Sequence, residues 1–223
     1  MTKTVLITGA NRGVGLTLAQ VYSEKGYRVI ASCRNISREM ESLNGELIFD
    51  ADVASDQKVK KLVAQLNGES IDVVINNAGV WGSESLSNMD FNKMLEDYNT
   101  NALGALRVVD ALYTHGLLSE AAKVALITSK MGSIEDNGSG GRYAYRMSKA
   151  ALNAAGKSLA IDLKSEGKAV VLIHPGWVQT DMGGKNALIS AQESAKGIYK
   201  VIDHLSIETT GSFVDYKGQV IPW

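Results

Sequence analysis

Short, continuous apolar runs alternate along the chain with longer stretches whose apolar residues repeat at helical spacing. The runs are rich in Val and Ile and too short for buried helices, and they lie at 4–7, 28–31, 47–49, 73–75, 124–127 and 170–173. A strand that is apolar on both sides is covered on both faces, as in a parallel sheet. A last short strand is expected near 212–215.

The stretches between these runs predict amphipathic helices. After Ser55 and Asp56, either of which can cap a helix, apolar residues stand at i, i+3, i+4 and i+7, namely Val59, Leu62, Val63 and Leu66. Ser190 and Glu193 have capping-box spacing ahead of another helix. Further helices are expected at 13–25, 101–114 and 143–165. This alternation predicts an α/β fold, a Rossmann-type doubly wound parallel sheet with helices on both faces, in one domain over 1–223.

Composition narrows the classes of function. The chain has 223 residues, and its 23 Lys and Arg against 24 Asp and Glu exclude a generally basic surface, so we expect no nucleic-acid partner. No apolar run approaches the ~20 residues that cross a bilayer, and no leader is evident, so we expect no membrane contact. The single cysteine, Cys33, and three scattered histidines predict neither a disulfide nor a metal site. A cytoplasmic location fits this cysteine usage.

A glycine-rich turn follows the first run and opens a helix. In it Gly9 can make the tight turn, Gly13 lets the backbone approach a phosphate, and Gly15 lets helix and strand pack closely. A pyrophosphate would lie on the free N–H groups at the positive end of the helix. The alternative is a plain glycine-rich turn. The dinucleotide-binding interpretation is favoured by the position, and it involves Gly9, Asn11, Arg12, Gly13, Val14 and Gly15.

Four motifs together carry a resemblance. They are the Gly-x-x-x-Gly-x-Gly spacing, Asn76-Asn77-Ala78-Gly79, Tyr145-Arg146-Met147-Ser148-Lys149 and Pro175-Gly176. In these motifs the chain resembles the single-domain branch of the short-chain dehydrogenase/reductase family, over essentially its whole length. It is most similar to the C-factor/sniffer-type carbonyl reductases. The resemblance implies hydride transfer between a carbonyl and an alcohol, and a homodimer or homotetramer paired through the helices at 101–114 and 143–165.

Charge predicts which cofactor is used. An NAD-selective site carries an acid at the end of the second strand, whereas here Arg34 follows that strand and Arg12 lies in the glycine turn. A guanidinium suits a 2′-phosphate, so we predict NADP(H), although Arg34 could be a solvated loop residue. The resemblance adds Asp52 and Val53 for the adenine pocket, where Asp52 could instead cap a helix. It also adds the cofactor-lining residues Asn77, Ala78, Gly79, Pro175, Gly176, Val178 and Thr180.

The predicted catalytic residues are Asn101, Ser129, Tyr145 and Lys149. Tyr145 and Lys149 stand four residues apart, one turn along a helix, so that the ammonium, together with the positive charge of the oxidised nicotinamide, can lower the pKa of the phenol acid/base toward neutrality. The resemblance implies that Ser129 orients the carbonyl and that Lys149 also binds the ribose. Ser133 and Thr128 are the competing hydroxyls, and the stretch before Tyr145 is longer than is usual in the family.

Asn101 matches the asparagine that, in the family, interrupts helical hydrogen bonding and holds a water on a proton relay to the lysine. Asn99 is the nearby alternative, and Asn101 could also be a helix cap. Cys33, next to the expected ribose, is interpreted as a small packing residue.

The substrate is less well specified. Six residues beside the motifs could line an apolar pocket or could be core or interface residues, namely Trp81, Met131, Ile134, Tyr143, Trp177 and Met182. A short lid over 181–190, and no evident arginine clamp, favour a small uncharged carbonyl or alcohol, with Lys185 as the one argument for an anion. The alternative function is an NADP(H)-binding regulatory or signalling protein with little turnover. An epimerase or dehydratase would need another glycine spacing.

Overall fold

A parallel sheet forms the centre of the computed structural model, which describes residues 2–43, 45–82 and 84–223. Its strands, within these ranges, are β1 (Thr4–Thr8), β2 (Arg28–Ser32), β3 (Glu46–Ile48), β4 (Ile71–Asn76), β5 (Leu118–Ile127), β6 (Ala169–His174) and β7 (Ser212–Asp215). They lie in the order β3-β2-β1-β4-β5-β6-β7, and every neighbouring pair is parallel. The order reverses between β1 and β4, and in such sheets ligands bind outside the carboxyl ends of the strands at this point.

Helices cover both faces of the sheet. They are α1 (Gly13–Glu24), α2 (Asp56–Gln65), α3 (Phe91–Tyr98), α4 (Gly104–Thr114), α5 (Tyr143–Lys164) and α6 (Ala191–Asp203). Val5 and Ile7 of β1 pack with residues of α1 and α6, while Leu6 packs on the other face with residues of α2, α4 and α5. Both sides of β1 are therefore buried, and this is why the strand is a continuous apolar run. The predicted doubly wound α/β sheet is confirmed.

Several element boundaries differ from those predicted; β5 begins at Leu118 rather than at residue 124, and two other differences have a clear physical cause. The helix expected from residue 101 begins at Phe91, because α3 joins α4 through a π-helical turn, Asn99–Leu103. The sequence carried the signal for α3, which was missed, because apolar residues stand at i, i+3, i+4 and i+7, namely Phe91, Met94, Leu95 and Tyr98. Phe91 and Leu95 are exposed, so this apolar side faces away from the core. The third strand ends at Ile48 rather than at residue 49. It is an edge strand paired only with β2, and the exposed Phe49 lies beyond the pairing.

Candidate active site

The glycine turn between β1 and α1 is closed by contacts that leave no room for side chains. A Cβ on Gly9, whose φ is 64°, would lie 2.8 Å from Ala78 Cα. A Cβ on Gly15 would lie 2.4 Å from both Asn77 Nδ2 and the Gly9 oxygen. Asn77 Nδ2 donates to the Thr8 and Gly9 oxygens at 3.0 Å each and so ties β4 to the turn. The turn therefore presents backbone to the carboxyl edge of the sheet.

The N-terminus of α1 exposes backbone N–H groups that have no partner within the helix. Arg12 stands at its N-cap position without a side-chain hydrogen bond to the helix, and Gly13 and Val14 are half-buried beside it. A Cβ on Gly13 (φ 54°) would lie 3.1 Å from Thr180 Cγ2, so the segment after β6 already lies close to this helix end. Free N–H groups and the helix dipole make this end suited to a phosphate. Asn11 holds the turn through its backbone carbonyl oxygen, which accepts a hydrogen bond from Ser37 Oγ at 2.6 Å.

The two arginines predicted to recognise a 2′-phosphate have different surroundings. Arg34 is exposed directly after β2, with no acidic residue at the end of that strand. The Arg12 guanidinium is 2.9 Å from Asp181 Oδ2, an exposed ion pair between the glycine turn and the segment predicted to be a lid. An anion that binds Arg12 would have to compete with Asp181.

The predicted adenine-pocket residues lie after β3. Asp52 Oδ1 accepts from Ala54 N at 3.0 Å in a local turn, whereas the cap of α2 is Ser55, whose hydroxyl accepts from Lys58 N. The helix-cap alternative for Asp52 is therefore wrong, and so is Asp56 as the cap. The Val53 side chain is buried against Gly104, where a Cβ would lie 2.7 Å from Val53 Cγ2.

Ser129, Tyr145 and Lys149 form one buried cluster. Their exposed fractions are 6%, 8% and 4%; the serine lies two residues after the end of β5, and α5 supplies the other two. Lys149 Nζ lies 5.8 Å from the centre of the Tyr145 ring and donates to the Ile127 oxygen at 2.9 Å. Ser129 Oγ accepts from Met131 N at 3.1 Å, which fixes the hydroxyl beside Tyr145. The cluster lies at the carboxyl end of β5, on the same sheet edge as the glycine turn.

Burial moves both pKa values in this cluster away from their ordinary values. Desolvation raises the pKa of Tyr145 to about 12, against a smaller lowering by the Ser129 hydroxyl. Desolvation lowers the pKa of Lys149 to about 8. The predicted lowering of the Tyr145 pKa by the ammonium together with an oxidised nicotinamide concerns the protein with cofactor and stays a prediction. Without cofactor, burial keeps Tyr145 protonated, the form that can give a proton.

The competing hydroxyls are occupied elsewhere. Thr128 Oγ1 donates to Asn153 Oδ1 at 2.7 Å, whereas the Ser129 hydroxyl bonds to Tyr145. Ser133 Oγ donates to the Trp223 oxygen at 3.2 Å and accepts from Asp136 N. Of the three candidate hydroxyls, only Ser129 faces Tyr145.

Asn101 lies in the π-helical turn and is 1% exposed. Its Oδ1 accepts from Val80 N at 2.7 Å, and its Nδ2 donates to the Val80 oxygen and to Ser148 Oγ. A Cβ on Gly79 would lie 3.1 Å from this Oδ1 and 3.5 Å from Lys149 Nζ, so any side chain there would intrude between the two groups.

The alternative asparagine, Asn99, is not part of this cluster. Its amide bonds to the Ala54 oxygen and to Arg107. Our sequence reading missed Ser148, whose hydroxyl also donates to the backbone carbonyl oxygen of Tyr145 at 2.9 Å. Its place directly before Lys149 in the quoted motif was the available signal.

The segment after β6 folds back over the carboxyl edge of the sheet. Gly176 has φ 88°, and a Cβ there would lie 2.5 Å from Ile189 Cδ1. The Pro175 oxygen accepts from Ser194 Oγ at 2.6 Å, and buried Val178 pairs with Ile189 in an isolated bridge. Thr180 Oγ1 accepts from Gly183 N at 3.2 Å. These bonds hold Thr180 beside Gly13.

Aromatic and apolar side chains surround the cluster. All six residues proposed as pocket-lining are half-buried or exposed, so the core alternative is wrong, and they are Trp81, Met131, Ile134, Tyr143, Trp177 and Met182. The Trp81 ring centre lies 4.5 Å from that of Tyr145. Arg142 Cζ lies 5.5 Å from the centre of the Trp81 ring. The premise that no arginine stands near this cleft is therefore wrong, because Trp81 and Arg142 are distant in sequence and adjacent in space.

Other candidate chemistry does not join the cluster. Cys33 is buried against Met40, with Sγ 3.5 Å from Sδ, and burial raises the pKa of its thiol. Burial also lowers the pKa of His174 to about 4. Among the described residues, no group of three or more His, Cys, Asp or Glu side chains could hold a metal. Within the same ranges, every helix is too short or too polar to cross a membrane.

The fold and this geometry define a class: a Rossmann-type α/β protein with a nucleotide turn and a Ser-Tyr-Lys cluster on one sheet edge. The family model described as short chain dehydrogenase matches residues 3–188. The chain therefore belongs to the short-chain dehydrogenase family, which is a family of oxidoreductases.

Individual relatives agree with this assignment. The C-signal of Myxococcus xanthus is 49% identical over 154 residues, covering 69% of this chain and 93% of that protein. The 1-hydroxy-2-glutathionyl-2-methyl-3-butene dehydrogenase of Rhodococcus sp. (strain AD45) is 35% identical over 226 residues and 99% of both chains.

Solved structures are similar over the full length. The carbonyl reductase Sniffer of D. melanogaster has a TM-score of 0.92 at 31% identity and covers 100% of both chains. The NADPH-bound carbonyl reductase from chicken fatty liver has a TM-score of 0.89 at 31% identity, with 100% of this chain and 99% of that chain covered. The predicted resemblance to carbonyl reductases within the family is confirmed.

Proposed function

We propose that the chain is an NADP(H)-dependent oxidoreductase that interconverts a small aldehyde or ketone and its alcohol, with Tyr145 as the acid/base. The observation that carries this proposal is the buried cluster of Ser129, Tyr145 and Lys149 on the same sheet edge as the glycine turn. The chain works as one unit over 1–223, with the segment 181–190 as a lid over the site.

The residues present fit a dinucleotide phosphate. Gly9, Gly13 and Gly15 stand where a Cβ would clash, so backbone alone faces the ligand, and the N-terminus of α1 offers free N–H groups. Arg34, and Arg12 once released from Asp181, would hold a 2′-phosphate. NADP(H) is also the cofactor of the similar chicken carbonyl reductase. Asp52 and Val53 would bound the adenine, and Asn77, Ala78, Gly79, Pro175, Gly176, Val178 and Thr180 would line the remainder.

The bound nicotinamide supplies or accepts the hydride. In reduction, Tyr145 donates its hydroxyl proton to the carbonyl oxygen, and in oxidation it takes that proton back. Ser129 donates a hydrogen bond to the same oxygen and stabilises the negative charge that develops on it. Lys149, as a cation, lowers the free energy of the tyrosinate and would bind the ribose hydroxyls. Asn101 holds the backbone of Val80 and the start of the proton path in place.

A second candidate function follows from one relative. The C-signal, 49% identical to this chain, bears the name of a signal rather than of an enzyme. An NADP(H)-binding regulatory protein would use the glycine turn without needing a proton donor. The complete Ser-Tyr-Lys cluster favours the enzyme.

The test is consumption of NADPH and NADH with a panel of aldehydes and ketones, alongside Tyr145→Phe. We expect turnover with NADPH and a loss of roughly 10²- to 10⁴-fold in kcat for Tyr145→Phe. Tyr113→Phe, which removes an exposed hydroxyl bound to Glu166, is the matched control and should retain the rate. Tight NADPH binding without turnover on any carbonyl would favour the regulatory function.

We also propose a homodimer or homotetramer in the cytoplasm. α3 and α5 present exposed apolar side chains that a second copy could bury, namely Phe91, Leu95, Met147 and Ile161. Light scattering of the purified protein tests the assembly, and Leu95→Asp should dissociate it. A monomer at all concentrations in the unaltered protein would contradict this part of the proposal.

A further inference from the structure

One arginine beside the cluster has a defined position and no charged partner. Among the described residues, the Arg142 side chain forms no hydrogen bond or ion pair. By contrast, Arg12 pairs with Asp181, and Arg146, one turn further along α5, donates to the Met131 oxygen and Ser139 Oγ. Arg142 is exposed, so its charge is available to a ligand.

The position of Arg142 is set by its backbone and by one aromatic ring. Its N–H donates to the Glu84 oxygen at 3.0 Å, and its Cζ lies 5.5 Å from the centre of the Trp81 ring. Gly140 and Gly141 both have φ 63°, and Arg142 follows with φ 55°. Glycine would adopt this left-handed conformation with the least strain, so an arginine at position 142 keeps its side chain at a cost in backbone free energy.

The geometry joins this guanidinium to the reacting hydroxyl. Trp81 contacts both groups, and its ring centre lies 4.5 Å from the ring centre of Tyr145. The guanidinium carbon is therefore no more than about 10 Å from the Tyr145 ring. The acidic side chains of this region, Glu84 and Asp97, are buried behind Gly82, with Asp97 bonded to Lys93. Neither forms an ion pair with Arg142.

We propose that Arg142, stacked on Trp81, is a specificity-determining residue that binds the carboxylate of a carbonyl substrate. This inference rests on the proposed function and narrows its substrate class to aldehydes or ketones that carry a carboxylate several bonds from the carbonyl. A planar guanidinium held against an aromatic face can form two hydrogen bonds to a carboxylate with little loss of side-chain freedom. Trp81 would contact the apolar part of the substrate.

The test compares 4-carboxybenzaldehyde with its neutral methyl ester, using NADPH. We expect kcat/KM to favour the acid, and Arg142→Gln to lower the acid-to-ester ratio by roughly 10- to 100-fold. Arg142→Lys should restore part of that ratio. Lys185→Gln, which removes the exposed cation of the predicted lid, should leave the ratio as it is. Equal losses for both substrates in Arg142→Gln, or loss of the preference in Lys185→Gln, would overturn the proposal.

A binding experiment separates this proposal from the proposed function. Calorimetry of 4-(hydroxymethyl)benzoate with the NADP⁺-loaded protein requires no turnover. If neither aldehyde is reduced, the oxidoreductase proposal fails, while a binding constant that falls at least about tenfold in Arg142→Gln still supports the carboxylate site. Equal binding by the unaltered protein and by Arg142→Gln overturns the site, whatever the activity.

Discussion

Lys149 should destabilise the protein without cofactor, and its replacement by Met should make the fold more stable. The side chain is 4% exposed, and its Nζ donates to a single carbonyl oxygen, that of Ile127. Burial lowers its pKa from 10.5 to about 8. Each tenfold change in proton affinity is worth about 1.4 kcal/mol, so holding the cation in the fold costs about 3 kcal/mol at neutral pH. Met has a similar length and carries no charge.

The sign and the pH range of this effect follow from linkage. The pKa in the folded protein lies below the unfolded value, so the cost is fully present below pH 8 and disappears as the pH rises through 10.5. At neutral pH we expect Lys149→Met to raise the Tm by roughly 6–12 °C while abolishing reductase activity. Differential scanning calorimetry between neutral pH and about pH 11 measures this difference in Tm between Lys149→Met and the unaltered protein.

A control separates the buried charge from general effects of the substitution. Lys164→Met removes an exposed lysine near the end of α5 and should change the unfolding free energy by less than about 0.5 kcal/mol. A Tm for Lys149→Met at or below that of the unaltered protein at neutral pH would refute the reasoning. A gain that is undiminished above pH 10.5 would refute it too, because it would not come from protonation.

Four further predictions concern the same edge of the sheet. Gly15→Ala places a Cβ 2.4 Å from two polar atoms and should cost about 1–3 kcal/mol in chemical denaturation, together with weaker NADPH binding. Asn101→Ala leaves buried backbone groups unpaired and should cost a similar amount, with a lower kcat. Reductive kcat/KM should be level below pH 8 and fall above it as Lys149 loses its charge, whereas a flat profile to pH 10 would contradict this role. Asp181→Asn frees Arg12 and should tighten NADPH binding by about two- to fivefold in fluorescence titration, because exposed ion pairs are worth at most about 1 kcal/mol.

The sheet was predictable because burial on both faces leaves a local mark. Residues 5–7 and 170–173 are apolar at every position, and the structure confirms them as parts of interior strands. α3 left a helical mark too, because its apolar residues repeat at i, i+3, i+4 and i+7, but this mark was missed. Phe91 and Leu95 are exposed, so the spacing indicates the helix without showing what its apolar side contacts.

The site was predictable in part, to the extent that its geometry depends on local spacing. Tyr145 and Lys149 share a helix, so four residues of separation already place them together. The choice of Ser129 over Thr128 depends on how the two side chains are directed in the segment after β5, and the structure shows Thr128 bonded to Asn153. Arg142 stands three residues before Tyr145, so its closeness to the site was predictable, whereas its contact with Trp81 was not, because only the fold brings those two residues together.

The π-helical turn at Asn99–Leu103 has a consequence for insertions and deletions. A π turn contains one residue more than an α turn, and each residue of an α-helix rotates the chain by about 100°. Deleting one residue of this turn would convert it into an α turn, so α3 and α4 would keep nearly the same rotation about their common axis, while the side chains within the turn would change direction. The Asn101 amide could then no longer meet both backbone groups of Val80. A relative one residue shorter here would lack this contact even if it kept an asparagine in the aligned position.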